Sequence, residues 1–189
     1  KEAALNYADE ISDRARLASV CNVIYAKDKK LFGDNTDGHG LITDLENNLK
    51  VTLKDKKILI LGSGGAARGI IPSIIEKDPA SLKIANRTKS KALQLKEDLE
   101  GKLDLKGESL ILEAGGLADD FLLADSYDLV INSTSVSTQT GESIMLPKAL
   151  FLGTKLAYDL FYSAEKTAFM QEALAGGAEK ASDGWGMLV

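Results

Sequence analysis

The stretch "ILILGSGGAARG", residues 58–69, constrains the fold more than any other part of this 189-residue chain. Four apolar residues run straight into a glycine cluster, and the cluster opens a helical segment. The pattern Gly62-x-Gly64-x-x-Ala67 can be read position by position. Gly62 permits the tight turn out of the strand, Gly64 lets the backbone approach a pyrophosphate, and the small Ala67 lets the helix pack close to the strand. A helix beginning there aims unpaired N–H groups and the positive end of its dipole at phosphate oxygens. Alone, such a motif also fits a glycine-rich turn with no ligand. The strand before it, the helix after it and the βαβ continuation favour a dinucleotide.

That continuation sets the fold class. Strands at 57–62, 81–86, 109–112, 127–132 and 155–159 alternate with helices at 65–77, 88–99, 116–123 and 165–176. The alternation predicts an α/β, doubly wound parallel sheet, a Rossmann-like domain. The rhythm before it differs. Residues 1–16 carry Ala4, Leu5, Ala8 and Ile11 at helical spacing, "CNVIYA" (21–26) and "KLFGD" (30–34) predict a hairpin, and "NTDGHGLITDLENNL" predicts a helix capped by Asn35 or Thr36. The boundary therefore falls near residue 36, with a mixed α/β piece before it and a doubly wound domain after it. The chain opens inside a helical pattern and stops at "DGWGMLV", which reads as the start of another apolar helix, so a fragment of a longer protein is expected.

The end of the second strand selects the ligand. Sites for NAD ordinarily place an acid there, which bonds the ribose hydroxyls and repels a phosphate. "KIANRT" (83–88) offers Asn86, Arg87 and Thr88 instead, and Lys91 follows one turn later. A guanidinium can hold a 2′-phosphate through two parallel hydrogen bonds, the threonine hydroxyl adds a donor and the lysine a second cation. These residues point to NADP, against the alternative that Arg87 and Lys91 are solvated surface charges.

Composition narrows the partners. With 28 acidic and 23 basic residues, a net charge of -5 leaves no basic face for nucleic acid or an anionic membrane surface. No run approaches the apolar length of a membrane span. The single Cys21 cannot form an internal disulfide, and one cysteine with one histidine, His39, assembles no metal site, which fits a reducing, cytoplasmic setting. Ligands of doubly wound sheets sit beyond the carboxyl ends of the strands. There "NSTS" (132–135) and "YDLFY" (158–162) lie, and Tyr162 either packs or donates a hydrogen bond to a substrate oxygen. Gly184 marks a sharp turn or a close backbone approach. "GDNTDGHG" reads by itself as a turn plus a helix cap, and it lacks the closing glutamate of a calcium loop.

Six segments, "NTDGHG" (35–40), "GSGGAARG" (62–69), "NRTKSK" (86–91), "NSTS" (132–135), "YDLFY" (158–162) and "DGWGML" (183–188), stand in the order and approximate spacing of the shikimate dehydrogenases. The chain resembles that family over essentially its whole length. The resemblance implies an enzyme that reduces 3-dehydroshikimate to shikimate with NADPH in aromatic amino acid biosynthesis, in a cleft between an α/β substrate domain, of which 1–36 would be a remnant, and an NADP-binding Rossmann-like domain, 37–189. It implies Lys1 and Asp37 as the catalytic pair and Asn22 and Tyr162 as substrate-binding residues. The cofactor residues it implies are Gly62, Ser63, Gly64, Gly65 and Ala66 in the loop, then Asn86, Arg87, Thr88, Lys91, Leu160 and Gly184. A lysine beside a carboxylate can relay a proton to the carbonyl oxygen as hydride arrives, which demotes His39. Val23 stands where the family has threonine, and the family's serine pair for the substrate carboxylate has no counterpart in the chain. The fragment alone is thus expected to bind NADP and to be inactive. Alternatives are a quinate/shikimate dehydrogenase or a noncatalytic NADP-binding module, and a homodimer is left open.

Overall fold

Pairing with a neighbouring strand overrides helical spacing at the start of the chain. The computed structural model describes residues 3–102, 110–136 and 144–188. In place of one helix over 1–16 it has a 3-10 turn (Ala3–Tyr7), strand β1 (Glu10–Ile11) and helix α1 (Asp13–Ala18). Strands β2 (Val23–Lys27) and β3 (Lys30–Asp34) form the expected hairpin. Its turn residues Asp28 and Lys29 both have positive φ, which matches the twist of two-residue hairpins. β1 lies parallel to β3, and the backbone N–H groups of Asp9 and Ser12 donate to Leu31 and Gly33 of that strand. Ser12 then caps α1, its hydroxyl accepting from the Ala15 N–H at 3.2 Å.

Helix α2 (Asp37–Thr43) continues through one π-helical turn, Asp44–Asn48, toward the second sheet. That sheet comprises β4 (Lys57–Leu61), β5 (Ser81–Asn86), β6 (Ile111–Gly116), β7 (Leu129–Asn132), β8 (Leu156–Asp159) and β9 (Ala181–Asp183). Helices α3 (Gly65–Ile75), α4 (Lys89–Lys102) and α5 (Ala168–Gly176) lie between its strands in sequence. Its order is β6-β5-β4-β7-β8-β9, and the pairings are parallel. The winding direction reverses between β4 and β7, and a crevice opens there at the carboxyl ends of the strands.

Alternation along the strands divides the apolar residues between two cores. Ile58, Ile60, Leu129, Ile131 and Tyr158 pack with Leu41, Leu45, Ile70, Ile74 and Leu95 on one side. Leu59, Leu61, Val130 and Ala157 pack with Tyr127, Phe151 and Phe169 on the other. Near-continuous apolar strands are what a parallel sheet covered on both faces requires. One buried cation interrupts the second face: Lys83 reaches Asp125 at 2.8 Å and Glu113 at 2.9 Å. Burial presses its pKa down, but those two hydrogen bonds outweigh it and hold the ammonium above the ordinary lysine value.

The second sheet and its end also depart from expectation. β6 runs to Gly116, so the helix expected at 116–123 shrinks to one 3-10 turn, Asp120–Leu122. β9 is an additional edge strand, three residues long and half-buried, too short to show an apolar pattern. The closing segment is a 3-10 turn, Gly184–Leu188, and not an apolar α-helix. Among the described residues no helix is long and apolar enough to cross a membrane, and no cluster of His, Cys, Asp and Glu could hold a metal ion.

Candidate active site

The glycine loop leaves β4 at Gly62, whose φ of +104° lies in the region that favours glycine. A Cβ at position 62 would also stand 2.6 Å from the Ser133 hydroxyl. Ser133 Oγ and the Gly62 N–H are themselves fixed to the strands, donating to Leu61 O at 2.7 Å and Ala85 O at 2.7 Å. Gly64 is different: a Cβ there would meet nothing within 4 Å. The protein's own packing does not require that glycine, and its bareness keeps open space in front of α3. No side chain caps α3 at Gly64, so the N–H groups of its first turn face that space.

This space is a cleft of about 980 Å³. Its lining brings together Gly62, Ser63, Gly64, Gly65, Ala66, Asn86, Arg87, Thr88 and Lys91, with Arg68, Ser133 and Thr134. Asn86 holds the turn after β5 by donating from Nδ2 to Thr88 O at 3.0 Å. Arg87 and Lys91 are exposed and form no ion pair among the described residues. Arg68, which spacing alone does not mark, reaches Asp98 of α4 at 2.8 Å. That hydrogen bond, with a second from Gln94, holds the Asp98 carboxyl below its usual pKa. The donor set fits a dinucleotide carrying an extra phosphate: an uncapped helix start for the pyrophosphate, and uncommitted cations at the end of the second strand.

A second group forms where β3 meets α2. Asn22 Nδ2 donates to Asp37 Oδ1 at 2.7 Å and to Thr36 Oγ1 at 3.1 Å, while its Oδ1 accepts from the Thr36 N–H at 3.0 Å. The helix cap comes from Asn35, whose Oδ1 accepts from the Asp37 N–H at 3.1 Å, and Thr36 makes no side-chain cap. One residue earlier, Asp34 accepts from Arg14 Nε at 2.6 Å, from Ser12 Oγ and from the Asn35 N–H. The guanidinium above all, helped by Ser12 and Asn35 against partial burial, pulls the Asp34 pKa down to about 2.

Asp37 also faces α3. A Cβ at Gly69 of α3 would stand 2.9 Å from Asp37 Oδ2 and 3.0 Å from Asn35 Nδ2. Glycine at the end of "GSGGAARG" thus admits the carboxylate that begins α2. Farther along, buried Asp44 accepts from the Tyr158 hydroxyl at 2.6 Å and from Asn48 Nδ2 at 2.7 Å, which ties α2 to β8. Burial, then the bond to Asp44, drives the Tyr158 pKa far above the usual phenol range.

The remaining expected residues gather at the carboxyl ends of β8 and β9. Leu160 N–H donates to Asn132 O at 2.9 Å, and a Cβ at Gly184 would stand 2.5 Å from Leu160 O. Neither residue lines the glycine-loop cleft. Tyr162 is exposed beside Trp185. Lys1 lies outside the described residues.

The family model for shikimate / quinate 5-dehydrogenase matches residues 44–151. The chain belongs to that family. It is 43% identical over 189 residues to a protein named shikimate dehydrogenase (NADP(+)) from Dechloromonas aromatica (strain RCB), covering 100% of this chain and 65% of that relative. Among solved structures it superposes with TM-score 0.86 and 35% identity on an Ael1 enzyme from Pseudomonas putida, over 100% of this chain and 65% of that one. A shikimate 5-dehydrogenase from Thermus thermophilus, crystallised with NADP(H) and shikimate, matches with TM-score 0.80 and 31% identity over the same shares. The chain therefore spans 65% of the length of these three proteins. The family match begins at Asp44, so Asn22 and Asp37 precede it while the nucleotide cleft lies within it.

Proposed function

We propose that the chain is the nucleotide-binding part and one cleft wall of an NADP-dependent shikimate dehydrogenase, which interconverts 3-dehydroshikimate and shikimate. In this reading residues 1–36 close a substrate-binding domain and 37–189 form the nucleotide domain, with Asp37 at the seam. The observation that carries the reading is the pair of exposed cations without ion-pair partners among the described residues, Arg87 and Lys91, on the cleft that the uncapped start of α3 opens into. The names of the relatives support it.

Loop residues 62–66 would bind the pyrophosphate through backbone N–H groups, and Arg87, Thr88 and Lys91 would bind the 2′-phosphate. Leu160 and Gly184 would flank the nicotinamide end. Bound NADPH supplies the hydride. The proton belongs to the chain's own groups: Lys1 beside Asp37, the carboxylate fixed by Asn22 at 2.7 Å, would relay it at the substrate oxygen as a pair. Asn22 and the Tyr162 phenol would hold the substrate in reach. Fixing the carboxylate in advance removes a reorganisation from the reacting step.

The test is Asp37→Asn in the full-length protein. The amide keeps the shape and loses the proton-handling oxygen, so kcat for shikimate oxidation falls about a hundredfold or more. NADPH affinity stays within about twofold, because Asp37 does not line the nucleotide cleft. Wild-type turnover in this variant would remove Asp37 from the chemistry.

A further inference from the structure

Two large aromatic side chains stand in solvent at the carboxyl end of the sheet. Tyr162 is 44% exposed and Trp185 62% exposed. Their ring centroids are 5.7 Å apart with planes at 72°, an edge-to-face pair, and Tyr162 also stacks on Phe161 at 6.1 Å. The backbone beneath is tightly determined. The Asp183 carboxylate accepts from the Ser163 N–H and from the Trp185 N–H, each at 3.2 Å. One side chain thus clamps the loop after β8 to the turn after β9. The close approach of Gly184 to Leu160 O locks the same two segments one residue away. Two exposed rings on a fixed backbone do not serve the core, which neither reaches.

We infer that Trp185 is a positioning residue of the substrate site, acting through Tyr162. Resting on the proposed function, in which the Tyr162 hydroxyl meets the substrate, the inference adds that the indole sets the direction of that hydroxyl. With the indole packed edge-to-face and Phe161 stacked against it, the phenol loses most of its freedom before substrate arrives. Removing the indole returns that freedom, and its loss on binding is then charged to the substrate. Trp185 touches the Tyr162 ring and does not line the glycine-loop cleft, so the effect falls on the substrate and spares the phosphate contacts that dominate dinucleotide affinity.

The experiment uses the full-length protein with Trp185→Ala and Trp185→Phe. The alanine variant raises KM for shikimate about three- to tenfold, the range an edge-to-face aromatic pair supports, and leaves NADPH affinity within about twofold. The phenylalanine variant restores an edge and brings KM to within about threefold of wild type. Shikimate added to the NADP+-loaded wild type changes an indole emission component that Trp185→Phe lacks. An unchanged KM in Trp185→Ala, or equal losses for shikimate and NADPH, overturns the inference while leaving the dehydrogenase reading intact. Absence of NADP+-dependent shikimate oxidation by the wild-type protein overturns that reading and this inference with it.

Discussion

Replacing Arg87 with alanine isolates the electrostatic argument for NADP. A 2′-phosphate carries nearly two negative charges at neutral pH, and a unit pair about 4 Å apart is worth about 1 kcal/mol in water and about 4 kcal/mol in a partly desolvated surface site. Arg87 is exposed at the rim of the cleft, so the watery limit governs. A charge-assisted hydrogen bond contributes about 1.5–3 kcal/mol net, and Lys91 survives in the variant to hold part of the attraction. The expected loss is about 2 kcal/mol, or about thirtyfold in Kd for NADPH. NADH, which lacks the phosphate, changes by less than about twofold. Titration of each dinucleotide into wild type and variant reads both numbers directly. Raising ionic strength should shrink the wild-type preference for NADPH, because the contact sits within reach of counterions. Equal weakening of NADPH and NADH would show that Arg87 supports the loop and does not read the phosphate; unchanged NADPH affinity would return it to the class of solvated charges.

Two further perturbations address the seam between the sheets. Gly69→Ala places a methyl 2.9 Å from Asp37 Oδ2, so kcat should fall about tenfold or more while NADPH affinity holds, and steady-state kinetics with NADPH titration will separate the two. Asp34, with its pKa lowered to about 2, contributes stability that is complete above its unfolded pKa of about 4 and is withdrawn as pH falls toward the folded value. Because the partner Arg14 is 51% exposed, the contribution is about 1–2 kcal/mol. Urea unfolding between pH 6 and 2 should show that slope in wild type and not in Asp34→Asn, and parallel curves would remove Asp34 as its source.

What could be read from the sequence follows from where single residues dominate the local energy. The glycine loop, the strands around it and the residues after β5 that line the cleft were legible because each tight turn or apolar strand leaves its own chemical mark. The hairpin was legible for the same reason. The helix expected over 1–16 fails because its apolar spacing also satisfies β1, and the N–H groups of Asp9 and Ser12 gain partners in β3 that no local pattern reveals. β9 was invisible: it is three residues of Ala, Ser and Asp, held by β8 alone. Asn22 and Asp37 entered the site only through the family resemblance, since their 2.7 Å contact joins positions fifteen apart across the hairpin. Arg68, Gly69, Asp44 and Trp185 were missed as participants. Gly69 alone carried a usable signal, a second small position one turn beyond the loop, where a neighbouring helix can approach.

Helix α3 connects the two halves of the candidate site. Its first turn, bare at Gly64, faces the cleft where phosphates would bind, and Gly69 lies against Asp37. The rise of an α-helix fixes the separation of those two points at about 7–8 Å along its axis. α3 is itself held, since Ile70, Ile71, Ile74 and Ile75 are buried under the sheet. The distance between the glycine loop and the Asp37 carboxylate is therefore set through one buried helix. Substitutions at Asn22 should alter how substrate is held, while truncation of the sheet-facing isoleucines of α3, Ile70 and Ile74, should move both functions together.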